Sequence, residues 1–233
     1  MKFKIDKDIF ARFPGLNIGV VIAKGINNSG SNEEIISLIR QKEKEIRAHF
    51  NPETLSQNAK IEAWRKAYSS FGAKPKKYKC SVENLYRMIL AGKELRHINK
   101  IVDIYNYISL KYMIPAGGDD LDKVEDYILL TFAQGNEPFI ELNSREVKNP
   151  KLGEVVYKDD KEVLCRRWNW RECDKTKMTE ETRNVSLVVE GLPLITVEEV
   201  ETIAAELAAL VQKFCGGAVQ HFILNNNNCE IAI

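Results

Sequence analysis

Between Cys165 and Gly191 the chain reads CRRWNWRECDKTKMTEETRNVSLVVEG. Two of its three tryptophans, Trp168 and Trp170, are interleaved there with Arg166, Arg167, Asn169 and Arg171. Indole and guanidinium groups on one surface can stack on a nucleobase and clasp a phosphate. Such stacking is worth roughly 1–3 kcal/mol per base. On an extended strand Leu164, Arg166, Trp168 and Trp170 share one face, and Cys165, Arg167, Asn169 and Arg171 the other. A plainer reading stands beside this one, in which the tryptophans fill core and the arginines cover a sheet edge.

A second group of candidate residues is electrostatic. From Lys60 to Lys100 there are eleven basic residues, among them Lys76, Lys77, Lys79 and Arg87, opposed only by Glu62, Glu83 and Glu94. An acidic run follows, with Asp119, Asp120, Asp122, Glu125 and Asp126. The net charge is only +1, but a polarised chain steers a charged partner more than its total charge implies. The alternative is a set of solvated helix faces. Asp119 and Asp120 follow Gly117-Gly118, where adjacent carboxylates commonly cap a helix, here over LDKVEDY.

These residues need elements to position them. MKFKIDKDIF alternates and reads as a strand, and a second strand is expected near Leu16–Lys24. Ser31 and Glu34 have capping-box spacing ahead of a helix. Another helix is expected over about Gln57–Ser70, stopped by Gly72 and Pro75. Ser81 can cap SVENLYRMILAG. In NKIVDIYNYISLKYM one face carries Ile101, Ile104, Tyr105 and Ile108, and the opposite face Asp103, Asn106, Tyr107 and Leu110. A helix buried on both sides follows, in which Asp103 and Asn106 must find partners.

Beyond Pro115 the segments YILLTFAQG, PFIELN, GEVVYKDDKEVLCRRWNW and NVSLVVEG read as strands, with Asp159-Asp160 as a hairpin turn. TVEEVETIAAELAALVQKF is an amphipathic helix capped by Thr196 and Glu199 and ended by Gly216-Gly217. AVQHFIL and CEIAI close the chain as strands. Helices thus concentrate in residues 1–115 and strands in 116–233, which predicts one α+β domain over 1–233 with a mixed or antiparallel sheet flanked by helices.

The 233 residues are 44% hydrophobic and 29% charged, ordinary for a globular protein. No apolar run approaches a membrane span and the start lacks a signal-peptide core, so the expected address is the cytoplasm, with no membrane partner. Five cysteines without CxxC spacing argue for reduced thiols, with no metal and no cofactor expected. Walker and dinucleotide fingerprints are absent.

Three segments carry a resemblance: GAKPKKYKCSVENLYRMILAGKEL, INKIVDIYNYISLKYMIPAGGDDLDK and the CRRWNWRE…VVEG stretch. Over about Leu55–Phe214 the chain resembles the B3/B4 domain of the phenylalanyl-tRNA synthetase beta subunit, and more closely the free-standing proteins made of that domain. VDIYNYISLKY is similar to the family's VD-hydrophobic-x-Asn-Tyr helix. The resemblance implies a B3/B4-like fold and an editing pocket in which tyrosine wrongly esterified to phenylalanine tRNA is hydrolysed. It places Asn106 at the helix asparagine and Glu190 at the glutamate that reads the amino acid. The family's Gly-rich pocket loop is replaced here by RRWNWRE. Tyr105 stands for its threonine, and Gly117 stands where its histidine helps in editing. None of His49, His97 and His221 matches that histidine; His97, just ahead of the helix, could reach the site, and a surface histidine at a helix start is the plainer reading of it.

An aminoacyl ester is labile, so a site that orients water and stabilises an oxyanion needs neither nucleophile nor metal. On that reading Asn106 and Glu190 are the catalytic candidates. Tyr105, Arg166, Arg167, Trp168, Asn169, Trp170 and Arg171 hold substrate, and Lys76, Lys77, Lys79 and Arg87 carry the tRNA acceptor end. The alternatives are a non-catalytic module binding RNA or an amino acid, and an enzyme acting on a small metabolite through the same Arg/Trp pocket.

Overall fold

The computed structural model describes residues 1–233. Two sheets share the strands. Sheet A has the order β10-β1-β4-β5-β6-β7 and sheet B the order β3-β8-β2-β9. In chain order the strands are β1 (Lys2–Ile5), β2 (Asn17–Lys24), β3 (Ala116–Asp120), β4 (Tyr127–Phe132), β5 (Val155–Lys158), β6 (Val163–Arg166), β7 (Arg171–Glu172), β8 (Asn184–Gly191), β9 (Ala218–Leu224) and β10 (Glu230–Ala232). The helices are α1 (Lys7–Arg12), α2 (Glu33–His49), α3 (Ala59–Ser70), α4 (Ser81–Leu90), α5 (Lys100–Tyr112) and α6 (Val197–Cys215). Every pairing is antiparallel except β1 with β4. The α+β class is as read from the sequence. The two early strands nevertheless hold central positions: β1 lies between β10 and β4, and β2 between β8 and β9.

Glycine sets how closely α6 approaches sheet B. A Cβ on Gly19 would stand 2.7 Å from the Ala204 Cβ, and one on Gly191 would stand 2.5 Å from Val200 Cγ2. The helix begins with a complete capping box between Thr196 and Glu199 and ends at Gly216, both as expected. The α5 helix packs against α2, α4, α6 and β3 and is buried around nearly its whole circumference. Its acid finds the required partner, because Asp103 Oδ2 lies 2.5 Å from His97 Nδ1.

Several local expectations are corrected. The first strand stops at Ile5, because Asp6 accepts the Asp8 amide and starts α1. Asn32, not Ser31, caps α2 by accepting from Glu34 and Ile35. Cys80 occupies the cap position of α4 and Ser81 is its first residue. LDKVEDY forms only a single 3-10 turn, Leu121–Lys123, capped by Asp120.

AGGDD, read from the sequence only as the approach to a helix cap, is the edge strand β3, paired with β8 from Ala116↔Val189 to Asp120↔Val185. Its glycines are the reason, since a Cβ on Gly118 would stand 2.1 Å from the Ser186 carbonyl oxygen. Gly117 is less crowded, with only the Glu172 carboxylate 3.2 Å from a Cβ there.

Gly118→Ala is therefore expected to destabilise the fold by at least about 1–3 kcal/mol, as overpacking does, with a smaller effect from Gly117→Ala. Urea midpoints of the two variants check this, and equal midpoints would contradict the close β3–β8 approach.

Candidate functional site

Strand β6 ends at Arg166, and the next two residues leave the extended region. Arg167 has φ 46° and Trp168 has φ 68°, left-handed values that cost energy in residues with a Cβ. The expected alternation of faces therefore breaks. Arg166 does not share a surface with the tryptophans. Its guanidinium grips Glu154 bidentately, Nε–Oε1 2.8 Å and Nη2–Oε2 3.0 Å. Arg167 is also buried, 3.4 Å from the same carboxylate, and lies over the Tyr78 ring at 3.8 Å and the Trp170 ring at 4.5 Å. Two of the three expected ligand-holding arginines thus hold the loop itself. Arg171 remains half exposed, paired with Glu141 at 3.2 Å.

Glu190 secures the strained turn from sheet B. It is 1% exposed. Its Oε1 accepts from Tyr157 Oη at 2.6 Å and Trp168 Nε1 at 2.7 Å, and its Oε2 accepts from Asn169 Nδ2 at 2.6 Å. Asn169 Oδ1 in turn accepts from Tyr68 Oη at 2.9 Å and the Ser81 amide at 3.3 Å. Burial pushes the Glu190 carboxyl up to about 7, against the pull of its three donors. Trp168 is fully buried, 4.7 Å from Phe13 and 4.9 Å from Trp64 between ring centroids. It is core with a polar handle, not an exposed stacking platform. Trp170 is the half-buried indole, edge-on to Tyr78 at 4.9 Å.

Around this frame lies a cavity of about 390 Å³, walled by β3, β8, the RRWNWRE turn and the Glu141–Asn143 segment. Trp168, Asn169, Trp170, Arg171 and Glu190 line it, together with Ser81, Asp119, Tyr157, Cys165 and Glu172. A second, more polar pocket of about 270 Å³ adjoins it and contains Lys77, Lys79, Asn84, Tyr105 and Asn106. The two share Ser81, Ala116, Trp170, Arg171 and Glu172 as walls. Asp119 and Glu190 thus line the inner cavity alone, Lys77 and Lys79 the outer pocket alone, and Glu172 and Arg171 the wall between them.

The inner carboxylates are not ordinary. Burial pushes Asp119 up to about 6, opposed by the Thr176 hydroxyl that donates to it at 2.5 Å. Burial, with repulsion from Asp119, pushes Glu172 up to about 7. The Cys165 thiol is driven well above its usual value by burial and by these acids, so it stays protonated and is no nucleophile. Asp120 turns away to cap its 3-10 turn and accepts from the Thr182 hydroxyl at 2.7 Å. No group of three or more His, Cys, Asp or Glu side chains is arranged to hold a metal ion.

The remaining candidates divide. Asn106 and Tyr105 reach the outer pocket and do not line the inner one. Lys76 sits in a separate surface groove with Arg65 and Lys66. Arg87 is committed to Glu83 at 2.8 Å and to the Pro52 carbonyl at 3.2 Å and lines neither pocket. His97, tied to Asp103, lines neither pocket. Glu172, Tyr157 and the Glu141–Asn143 segment were not anticipated from sequence. Glu172 is the last letter of RRWNWRE, and only the break in alternation at Arg167 and Trp168 turns it inward.

Residues 63–216 match the family described as the B3/4 domain. A stretch of 73 residues, 30% of this chain, is 38% identical to the phenylalanine–tRNA ligase beta subunit of Fusobacterium nucleatum, and spans 9% of that relative. Among solved structures, an N-terminal fragment of the phenylalanyl-tRNA synthetase beta subunit from Pyrococcus horikoshii superposes over 93% of this chain and 49% of that one. Its TM-score is 0.50 at 14% sequence identity, a likeness of fold.

Two outcomes follow from this geometry. Glu190→Ala leaves three buried donors without an acceptor, which should cost on the order of 3 kcal/mol. An unchanged urea midpoint would contradict its role as the tie. Glu172 is raised from an ordinary 4.5 to about 7. The folded chain therefore holds a proton that the unfolded chain has released between those values, and stability falls as pH rises through that window. Glu172→Gln removes that component, so its urea midpoint gains on wild type between pH 5 and pH 8. Parallel pH curves would contradict the shift.

Proposed function

Because the chain belongs to the B3/4 domain family, we propose that it acts on tRNA, hydrolysing the ester of a mischarged aminoacyl-tRNA. One observation carries the reading: the order of charge along the joined pockets. The inner cavity offers Asp119, Glu172 stands in the wall common to both pockets, and the outer pocket offers Lys77 and Lys79. An aminoacyl-tRNA end has the complementary order, with an ammonium group on the amino acid and phosphodiesters one nucleotide away. A volume of about 390 Å³ falls in the range of small-molecule sites and suits an aminoacyl group.

In this arrangement Lys77 and Lys79 meet phosphate, and the half-buried Trp170 at the shared wall stacks on the terminal base. Asn106, on the rigid α5, points its amide toward the ester from the outer pocket. Glu190 contributes by holding Trp168 and Asn169 in place. The ligase relative and the resemblance of VDIYNYISLKY both support a tRNA partner. Gly117 in place of the family's histidine favours one rival, binding without hydrolysis.

The test loads phenylalanine, tyrosine, alanine and threonine tRNAs each with its own and with a near-cognate amino acid, then follows ester loss. Accelerated loss of a mischarged species is expected, reduced at least tenfold by Asn106→Ala. Lys77→Ala with Lys79→Ala should weaken tRNA binding and flatten its salt dependence by about one unit of slope per lysine. Binding without ester loss would establish the rival module, and neither binding nor loss would remove tRNA from the account.

A further inference from the structure

The Glu172 carboxylate forms no hydrogen bond or ion pair that would serve the fold. Strand β7 holds it against the wall common to both pockets. The neighbouring cation, Arg171, pairs with Glu141 instead. No hydrogen bond stabilises the Glu172 carboxylate, and the charge nearest to it in effect is the like charge of Asp119. Such an arrangement is a cost to stability and a common feature of functional sites.

Room for it is made by Gly117, whose missing Cβ would lie 3.2 Å from Glu172 Oε1. The carboxylate therefore occupies the space a side chain at position 117 would take. Polar groups around it are also unspent. Ser81 Oγ, in the shared wall, is buried without a partner. Ser186 is 1% exposed with an unpartnered hydroxyl. It lies directly opposite Asp119 in the β3–β8 register, on the face of β8 that carries Val188 and Glu190 to the cavity.

We propose that Glu172 is the general base of this site. This inference rests on the ester-hydrolysis reading above. Glu172 takes a proton from water as the water oxygen bonds to the ester carbonyl carbon. The tetrahedral adduct collapses, the bond to the ribose oxygen breaks, and that oxygen receives the proton back from Glu172. The amino acid leaves with a free carboxyl group, and the RNA regains its hydroxyl. The ionisable groups that share its two pockets are Asp119 on β3, Glu141 ahead of β5, Tyr157 on β5, Cys165 on β6, Glu190 on β8, Tyr105 on α5, Arg171 beside it, and Lys77 and Lys79 at the rim. Burial, with repulsion from Asp119, keeps its proton affinity near neutrality, where a base works best.

The same panel of charged tRNAs provides the probe, with the full-length chain and its Glu172→Gln and Gly117→Ala variants. The expected result is a loss of about 10²–10⁴-fold in kcat for Glu172→Gln with KM little changed. The wild-type rate should rise with pH through about 7, and that limb should vanish in the variant. Gly117→Ala retains the carboxylate but displaces it, so an intermediate loss of kcat is expected. If wild type cleaves an ester and Glu172→Gln keeps its kcat, the base assignment is overturned while the hydrolase reading stands. A rise in KM alone would overturn it in favour of ammonium binding. If wild type cleaves none of the esters, the hydrolase reading fails and the base assignment falls with it.

Discussion

Glu190 leaves β8 and takes hydrogen bonds from Tyr157 on β5 and from Trp168 and Asn169 in the turn after β6. The carboxylate comes from sheet B, and its donors come from one strand of sheet A and the turn that joins two others. Without it, two consecutive left-handed residues, Arg167 and Trp168, would lack compensation for their backbone strain. The turn they make reverses the chain sharply enough for Asn169, Trp170, Arg171 and Glu172 to meet the cavity together. The double pairing of Arg166 and Arg167 to Glu154 fixes the other side of the same turn. The wall is thus held by buried charge and hydrogen bonds, a kind of network that tolerates no missing member.

What the wall encloses follows from what it leaves unsatisfied. Glu190 and Arg166 are fully engaged, so they shape the site. Asp119 and Glu172 are crowded together without a cation, so they are available to it. The lysines at the outer pocket complete a gradient of charge along one groove, and glycines make that groove possible: Gly118 lets β3 lie against β8, and Gly117 admits Glu172. In this chain the position that the family resemblance gives to a histidine is emptied, and a carboxylate from another strand enters the space.

Much of the frame was legible in the sequence because it depends on local signals. The α6 capping box, the Asp159 hairpin turn, β2 and the doubly buried α5 follow from spacing and turn chemistry. The membership suggested by VDIYNYISLKY also came from contiguous residues. The site was legible only in part. Strand alternation put Arg166 beside Trp168, yet both the ion pair with Glu154 and the positive φ of Arg167 and Trp168 depend on partners remote in sequence. Ser31 and Ser81 were chosen as caps by residue type, whereas Asn32 and Cys80 hold those positions by register. In AGGDD the adjacent carboxylates suggested a helix cap and hid an edge strand; its glycines are explained by the Ser186 carbonyl, which lies 68 positions further along the chain. Glu172 was overlooked because nothing local distinguishes it from any other exposed acid at the end of a strand.

The most direct measurement is a crystal structure with a non-hydrolysable tRNA 3′ end, an aminoacyl group joined by an amide to 3′-amino-3′-deoxyadenosine with one 5′ nucleotide attached. The account predicts the aminoacyl group in the inner cavity, its carbonyl carbon beside Glu172, and the phosphate at Lys77 and Lys79. An aminoacyl group lying outside the Asp119–Glu172–Glu190 cavity, or a phosphate bound away from those lysines, would contradict it.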